Sequence, residues 1–334
     1  MNISGMGDLA QGYSLRQRTV GIREEIERLT AELTSGQVSD VKSVLRGNLS
    51  FLTDVERRSA VLDSYSVATT EADTFTSAMQ LALTNFSDVT EDLSGTLISA
   101  GSSSLGADVL DVASDARAAF SGLVGTLNGN VAGRSLFAGN ATATRALVDP
   151  ETILADLSAA IAGATTPADM VTQAQAWFAD PLGFEASAYQ GSADPLSDFQ
   201  LSPEERLSLD VRATDPGLTS ALANVAVAAL AADPAFGLGI QEQSQLLSQA
   251  GQELLLGADA VTAGQALVGL AQGQIEKASV RNAATLTSLN LAKNAMLEAD
   301  PYETATKLEE AQFQLQSLYS VTVRTSQLSL LNYL

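Results

Sequence analysis

Side chains able to carry acid–base or covalent chemistry are few in kind here. The 334-residue chain has no His and no Cys. It therefore offers no imidazole base, no thiolate nucleophile, no disulfide and no thiolate metal site. Carboxylates are plentiful, with 39 Asp and Glu against 18 Lys and Arg. In so acidic a chain neighbouring acids arise by number alone, and Glu204-Glu205 and Glu309-Glu310 read as solvated faces. No EF-hand spacing occurs. Gly237-Leu238-Gly239 is only a fragment of a phosphate-binding glycine loop. Arg57-Arg58 reads as an exposed helix face paired with Asp54. No catalytic residue, cofactor or metal ligand is expected, and the chain is read as not an enzyme.

What the spacing does support is association. Leu15, Ile22 and Leu29 recur every seven residues, as do Thr19, Ile26 and Leu33. Interleaved, they make an a/d seam, and Arg16, Arg18, Arg23, Glu24, Glu25, Glu27, Arg28 and Glu32 fill the rest of that helix. Ser35-Gly36 should stop it. At the other end Asp300-Pro301 predicts a helix start. Leu308, Ala311, Leu315, Leu318, Thr322, Thr325 and Leu328 then form a weaker seam, with Leu331 one turn further on. Glu303–Leu334 lacks Gly and Pro, and as one helix would run roughly 48 Å. Such a helix needs a partner helix. The expected assembly interface is Leu15, Ile22, Ile26, Leu29 and Leu33 against Leu308, Leu315, Leu318, Leu328 and Leu331. Tyr13, Tyr319 and Tyr333 are either interface anchors or isolated amphipathic residues.

The elements between these arms read differently. Phe75, Met79, Ala82, Phe86, Val89 and Leu93 form a seam best taken as an intramolecular core, broken at Gly95 and the GSSSLG stretch of residues 101–106. Val109, Val112, Ala116, Ala119 and Leu123 predict a further helix ending at Asn128-Gly129-Asn130. Seven of the eight prolines lie between 150 and 234, so long helices should be interrupted there. Residues 152–162, 168–178 and 218–231 look helical, and Leu207, Leu209 and Val211 alternate as in a half-buried strand. The fold expected is mainly α: a long coiled-coil rod made by both termini with a small inserted α+β domain. Arms at 1–35 and 303–334, a helical rod at 36–140 and 236–302, and an acidic insert at 141–235 are the expected divisions.

The net charge of −21 opposes nucleic-acid binding, which relies on basic residues. The longest uninterrupted apolar run, Val225 to Ala232, falls far short of the ~20 residues of a membrane span, so no membrane insertion is expected. The first fifteen residues lack the basic and apolar regions of a cleaved secretory signal.

Asp300 to Leu334, DPYETATKLEEAQFQLQSLYSVTVRTSQLSLLNYL, resembles the C-terminus of the flagellin superfamily. Its SLLNYL ending is most similar to the hook-associated, hook–filament junction branch. GRSLFAGN, Gly133 to Asn140, resembles a segment of that branch leading into its inserted domain. Tyr189-Gln190-Gly191 followed by LSLDVRA resembles the entrance to the sheet there. After Ser35-Gly36 the sequence QVSDVKSVL departs from the family by lacking an Asp-Pro turn. The resemblance implies an extracellular flagellar subunit, exported without a cleaved signal, whose terminal segments assemble as coiled coil. The partners it implies are further copies of the chain in a ring or helical layer, flagellin, another hook-associated protein and a flagellar export chaperone. Filament flagellin is the alternative.

Overall fold

A computed structural model describes residues 4–44, 49–101 and 106–331, with side chains described at 10, 12–42, 49–101, 106 and 108–324. Helices dominate. In chain order they are α1 (Ser4–Ser35), α2 (Val41–Val44), α3 (Ser50–Ala100) and α4 (Gly106–Leu127). After the β1–β2 hairpin (Asn130–Val131, Arg134–Ser135) come α5 (Pro150–Ala160), α6 (Pro167–Ala179) and α7 (Ala186–Ala188). A second hairpin, β3 (Phe199–Gln200) with β4 (Arg206–Leu207), precedes α8 (Pro216–Ala229), α9 (Ile240–Leu297) and α10 (Pro301–Leu331). Both ladders are antiparallel and two residues long, pairing Asn130 with Ser135 and Phe199 with Leu207 at their ends. The fold is mainly α with a small inserted domain.

The chain divides into two compact units: Met1–Val61 with Ala284–Leu334, and Leu62–Ala283. The first unit is built on α1 and α10, described with the candidate site below.

In the second unit the expected core seam of α3 is buried. Phe75, Met79 and Phe86 are at most 2% exposed, and Val89 and Ala82 pack against them partly buried. α4 contributes Val109, Ala116, Phe120 and Leu123, all fully buried. α9 contributes Leu254, Val261, Val268 and Ile275, a strict seven-residue repeat. Gly251 lets α9 approach α3, because a Cβ there would stand 2.9 Å from the Cβ of Leu97 and from the carbonyl oxygen of Ser94.

Gly95 does not break α3, contrary to expectation: the helix continues to Ala100. A single Gly costs only about 1 kcal/mol in a helix interior, which tertiary packing of Leu93 and Leu97 outweighs. The break falls at residues 101–106, of which 102–105 lie outside the described residues.

The prolines of the insert are mostly helix starters rather than interruptions. Pro150, Pro167 and Pro216 each occupy the first turn of α5, α6 and α8, and Pro181 and Pro234 open short π and 3-10 turns. Their fixed φ suits that position and their missing N–H is no loss there. Thr166 caps α6 by accepting from the Asp169 N–H at 3.1 Å. The expected strand shows its alternation in burial, with Leu207, Leu209 and Val211 each 4% exposed, but its ladder stops at Leu207. The hairpin is fastened by α9: Asn282 donates to the Leu201 carbonyl at 2.8 Å, and Arg281 pairs with Glu205.

The β1–β2 turn holds Ala132 at φ 50°, beside Gly133 at φ 78°. Two positive φ values are what a two-residue hairpin of this twist requires, and Ala supplies the first against its own sterics. Ala132→Gly is expected to stabilise the second unit by about 1 kcal/mol. A melting temperature unchanged or lowered would show that Ala132 is unstrained.

Candidate assembly surface

α1 ends where the sequence said it would, with Gly36 at φ 69° accepting the left-handed turn that closes the helix. The chain beyond it is tied to the α9–α10 connection. Val38 donates to the Leu297 carbonyl at 2.8 Å, Ala299 donates to the Gly36 carbonyl at 2.9 Å, and Gln37 bridges Glu298 antiparallel. Asp300 then starts α10, its Oδ1 accepting from the N–H groups of Tyr302 and Glu303 at 2.8 and 3.1 Å. These bonds fix the register of α1 and α10, which run antiparallel: Gly36 lies by Ala299, and Arg23 donates to the Tyr319 hydroxyl. The Arg23 guanidinium also stands 6.0 Å from the Tyr319 ring centroid.

The two seams face each other along this pair. Leu29 of α1 is 1% exposed and Ala311 of α10 5% exposed. Leu15, Ile22, Ile26, Leu308, Leu315 and Leu318 are half-buried, and Leu33 is exposed. Leu328 and Leu331 lie on the backbone of α10, with side chains outside the described residues, as is all of Tyr333. Two helices alone cannot enclose an a/d seam, so most of these side chains keep part of their surface wet. The outer faces carry single exposed apolar side chains among their charges: Tyr13 is 71%, Val20 53%, Tyr302 84% and Phe313 70% exposed. Completing the burial of a half-covered Leu or Ile adds about 1 kcal/mol each.

One residue of this region was misplaced by its sequence pattern. Glu32 was expected to face outward with the other charges of α1, yet it is only 5% exposed. Its Oε1 accepts from Arg28 Nη1 at 2.8 Å and from the Ser39 N–H at 2.9 Å. It thereby holds the turn after α1. The only hint in the sequence was an Arg four residues before an acid just ahead of Ser-Gly. Arg57 and Arg58 behave as expected, pairing with Asp54 at 2.6 and 2.7 Å. The hydrogen bond from Arg57 leads in holding the Asp54 carboxyl below its ordinary pKa, helped by the charges of both arginines.

Charge separates the two units. The first carries 11 basic and 13 acidic residues, the second 7 and 26. Copies brought together through the first unit meet little repulsion, whereas the second unit repels its own kind. Among the described residues, no group of three or more acids is placed to hold a metal ion. Glu309 and Glu310 are exposed, and Glu205 is engaged by Arg281.

Residues 257–334 match the bacterial flagellin C-terminal helical region. The match begins within α9 and includes all of α10, the helix whose seam faces α1. A solved structure from Vibrio parahaemolyticus, provisionally described as a flagellar hook-associated protein, has a similar fold. It aligns with a TM-score of 0.50 at 12% identity, covering 73% of this chain and 95% of that one. No curated protein matches the chain.

Part of α9 is long and apolar enough to pass for a membrane span by composition, which a search for uninterrupted apolar runs overlooks. Its every-seventh residues, Leu254 to Ile275, are buried in the second unit, while Leu256, Leu267 and Leu270 form a separate exposed stripe.

Proposed function

We propose that this chain is a structural subunit of the bacterial flagellum that joins hook to filament, and that it acts by assembling through its terminal helices. The carrying observation is the antiparallel α1–α10 pair, whose facing seams are left half-covered within one copy and whose second member lies in the region matching flagellin. Neighbouring copies complete the burial of Leu15, Ile22, Ile26, Leu29, Leu33, Leu308, Leu315, Leu318, Leu328 and Leu331, and that burial offsets the ordering of the arms. The exposed stripe Leu256–Leu267–Leu270 on α9 gives a second surface for packing against a neighbour. The acidic second unit faces solvent and limits lateral adhesion. In this reading the protein is exported without signal cleavage, is held by a flagellar export chaperone beforehand, and contacts another hook-associated protein on one side and flagellin on the other.

GRSLFAGN and the SLLNYL ending favour the junction over the filament. The flagellin match over residues 257–334 favours filament flagellin equally well and keeps that reading as the second. Deleting the gene separates them. A junction subunit is needed once per flagellum, so its loss should leave intact hooks without filaments and release filament protein into the medium. Filaments of normal length growing on those hooks would contradict the junction reading.

A further inference from the structure

The second unit carries an apolar groove of about 470 Å³ between α3 and the β1–β2 hairpin. Val67, Phe75, Val131 and Ala132 line it, and Val67 is 68% exposed. The polar groups around it are already engaged. The hydroxyls of Thr70 and Thr74 donate to the carbonyls of Ser66 and Thr70 at 2.8 and 2.9 Å. Arg134 pairs with Glu71, and its guanidinium stands 5.4 Å from the Phe75 ring centroid and 5.7 Å from that of Phe199. A groove whose charges and hydroxyls are satisfied from within is suited to an apolar occupant. The Ala132 backbone agrees. At φ 50° a Gly would stand without strain, and what Ala adds is a methyl group on the wall of the groove. Backbone strain of this kind gathers where a surface is used.

The same unit carries a convex surface of matching chemistry. Residues 260–275 of α9 hold no charge, although the unit as a whole has 26 acidic residues against 7 basic ones. Leu267 and Leu270 project from that stretch, 55% and 68% exposed, one helical turn apart and flanked by the exposed Ala263 and Ala266. Elsewhere two such units meet carboxylate against carboxylate. Groove and leucine pair are surfaces through which they approach without that repulsion.

We propose that the occupant of the groove is a second copy of this chain, which inserts Leu267 and Leu270 of α9 against Val67, Val131 and Ala132. This rests on the assembly reading above and names the contact by which the second units join. Two leucine stripes placed face to face would close at two copies and leave both grooves empty, whereas stripe into groove is a head-to-tail contact that each further copy repeats. The position of the two surfaces sets the offset between copies. Gln265 donates to the Leu83 carbonyl at 3.1 Å and Gln272 to the Ser77 hydroxyl at 3.3 Å, so α9 runs antiparallel to α3. Leu267 and Leu270 therefore lie about ten residues along α3 from the middle of the groove, roughly 15 Å at the helical rise. Copies standing parallel are staggered by that amount, which builds a helical layer.

Cross-linking of isolated flagella tests this, on a chain with no Cys of its own. Val67→Cys and Leu267→Cys are placed together in one full-length chain; both positions are exposed, so the core is left alone. A short bismaleimide should give dimers, trimers and higher species, and each single variant should stay monomeric. A double variant present in flagella that gives no ladder would overturn the contact while leaving assembly through the terminal helices intact. Dimers from Leu267→Cys alone would overturn it as well, because stripe would then meet stripe. Absence of the wild-type chain from flagella would overturn both readings. Ala132→Gly gives a second readout without a cross-linker. Co-expressed with wild type, it should enter flagella about fourfold less often, the fold-change that one buried methyl carries, even though its own fold is the more stable. Equal entry of the two would overturn the role of the groove.

Discussion

Removing Tyr319–Leu334 should abolish incorporation of the protein into flagella while leaving the second unit folded. The deletion takes away the hydrogen-bond partner of Arg23 and the last turns of α10. The core of Leu62–Ala283 contains none of the deleted residues, so its cooperative melt should persist. A gentler variant, Leu315→Asp, keeps the length of α10 but places a charge on the seam, at a cost of about 2–3 kcal/mol per subunit interface from lost burial and desolvation. Complementation of a deletion strain, scored by motility and by electron microscopy, reads both. Normal filaments with the truncated protein would mean that the terminal seams are not what joins the subunits.

The second large effect is expected at Glu32. Glu32→Ala leaves the Ser39 N–H without its acceptor and Arg28 with only its longer contact to Glu25, at 3.6 Å. Breaking a buried ion pair costs about 3–5 kcal/mol. Arg28 is 38% exposed, so solvent screening brings the figure to about 2 kcal/mol. Amides in the Gly36–Val38 turn should exchange about thirtyfold faster, with those of α4 unchanged. Glu32→Gln retains the acceptor for Ser39 and should lose about half as much. If Glu32→Ala exchanges like the wild type, the turn is held by the bonds between Gly36–Val38 and Leu297–Ala299 alone.

The two seams, the stop at Ser35-Gly36 and the start at Asp300-Pro301 were legible because each rests on local chemistry. A seven-residue repeat, a left-handed residue after a helix and a proline in a first turn are written in neighbouring positions. The pairing of α1 with α10 follows from the need of each seam for a partner, but its antiparallel register does not. That register is set by main-chain bonds between residues some 260 positions apart, Gly36 with Ala299 and Val38 with Leu297. Glu32 was misread for the same reason. Its i,i+4 spacing to Arg28 is that of an exposed helical pair, and only the distant fold of the turn back onto Ser39 buries it. Gly95 was overvalued as a breaker because propensity was weighed without the tertiary burial of Leu93 and Leu97. Residues 236–302 were expected as part of a helical rod, but the sequence did not show why α9 tolerates Gly251, which is where α3 packs closely. GRSLFAGN could be matched by resemblance, but its physical meaning lies with distant residues: a Cβ at Gly139 would fall 2.6 Å from the Asp194 oxygen and 2.7 Å from that of Ser192.

Position on the organelle tests the central claim most directly. Immunogold electron microscopy of intact flagella from the native cell, with antibody raised against the second unit, reads it without any variant. Assembly at the junction predicts label in one narrow band between hook and filament. Label along the whole filament would contradict the junction role and make the chain a filament flagellin, and flagella without label would contradict flagellar assembly altogether.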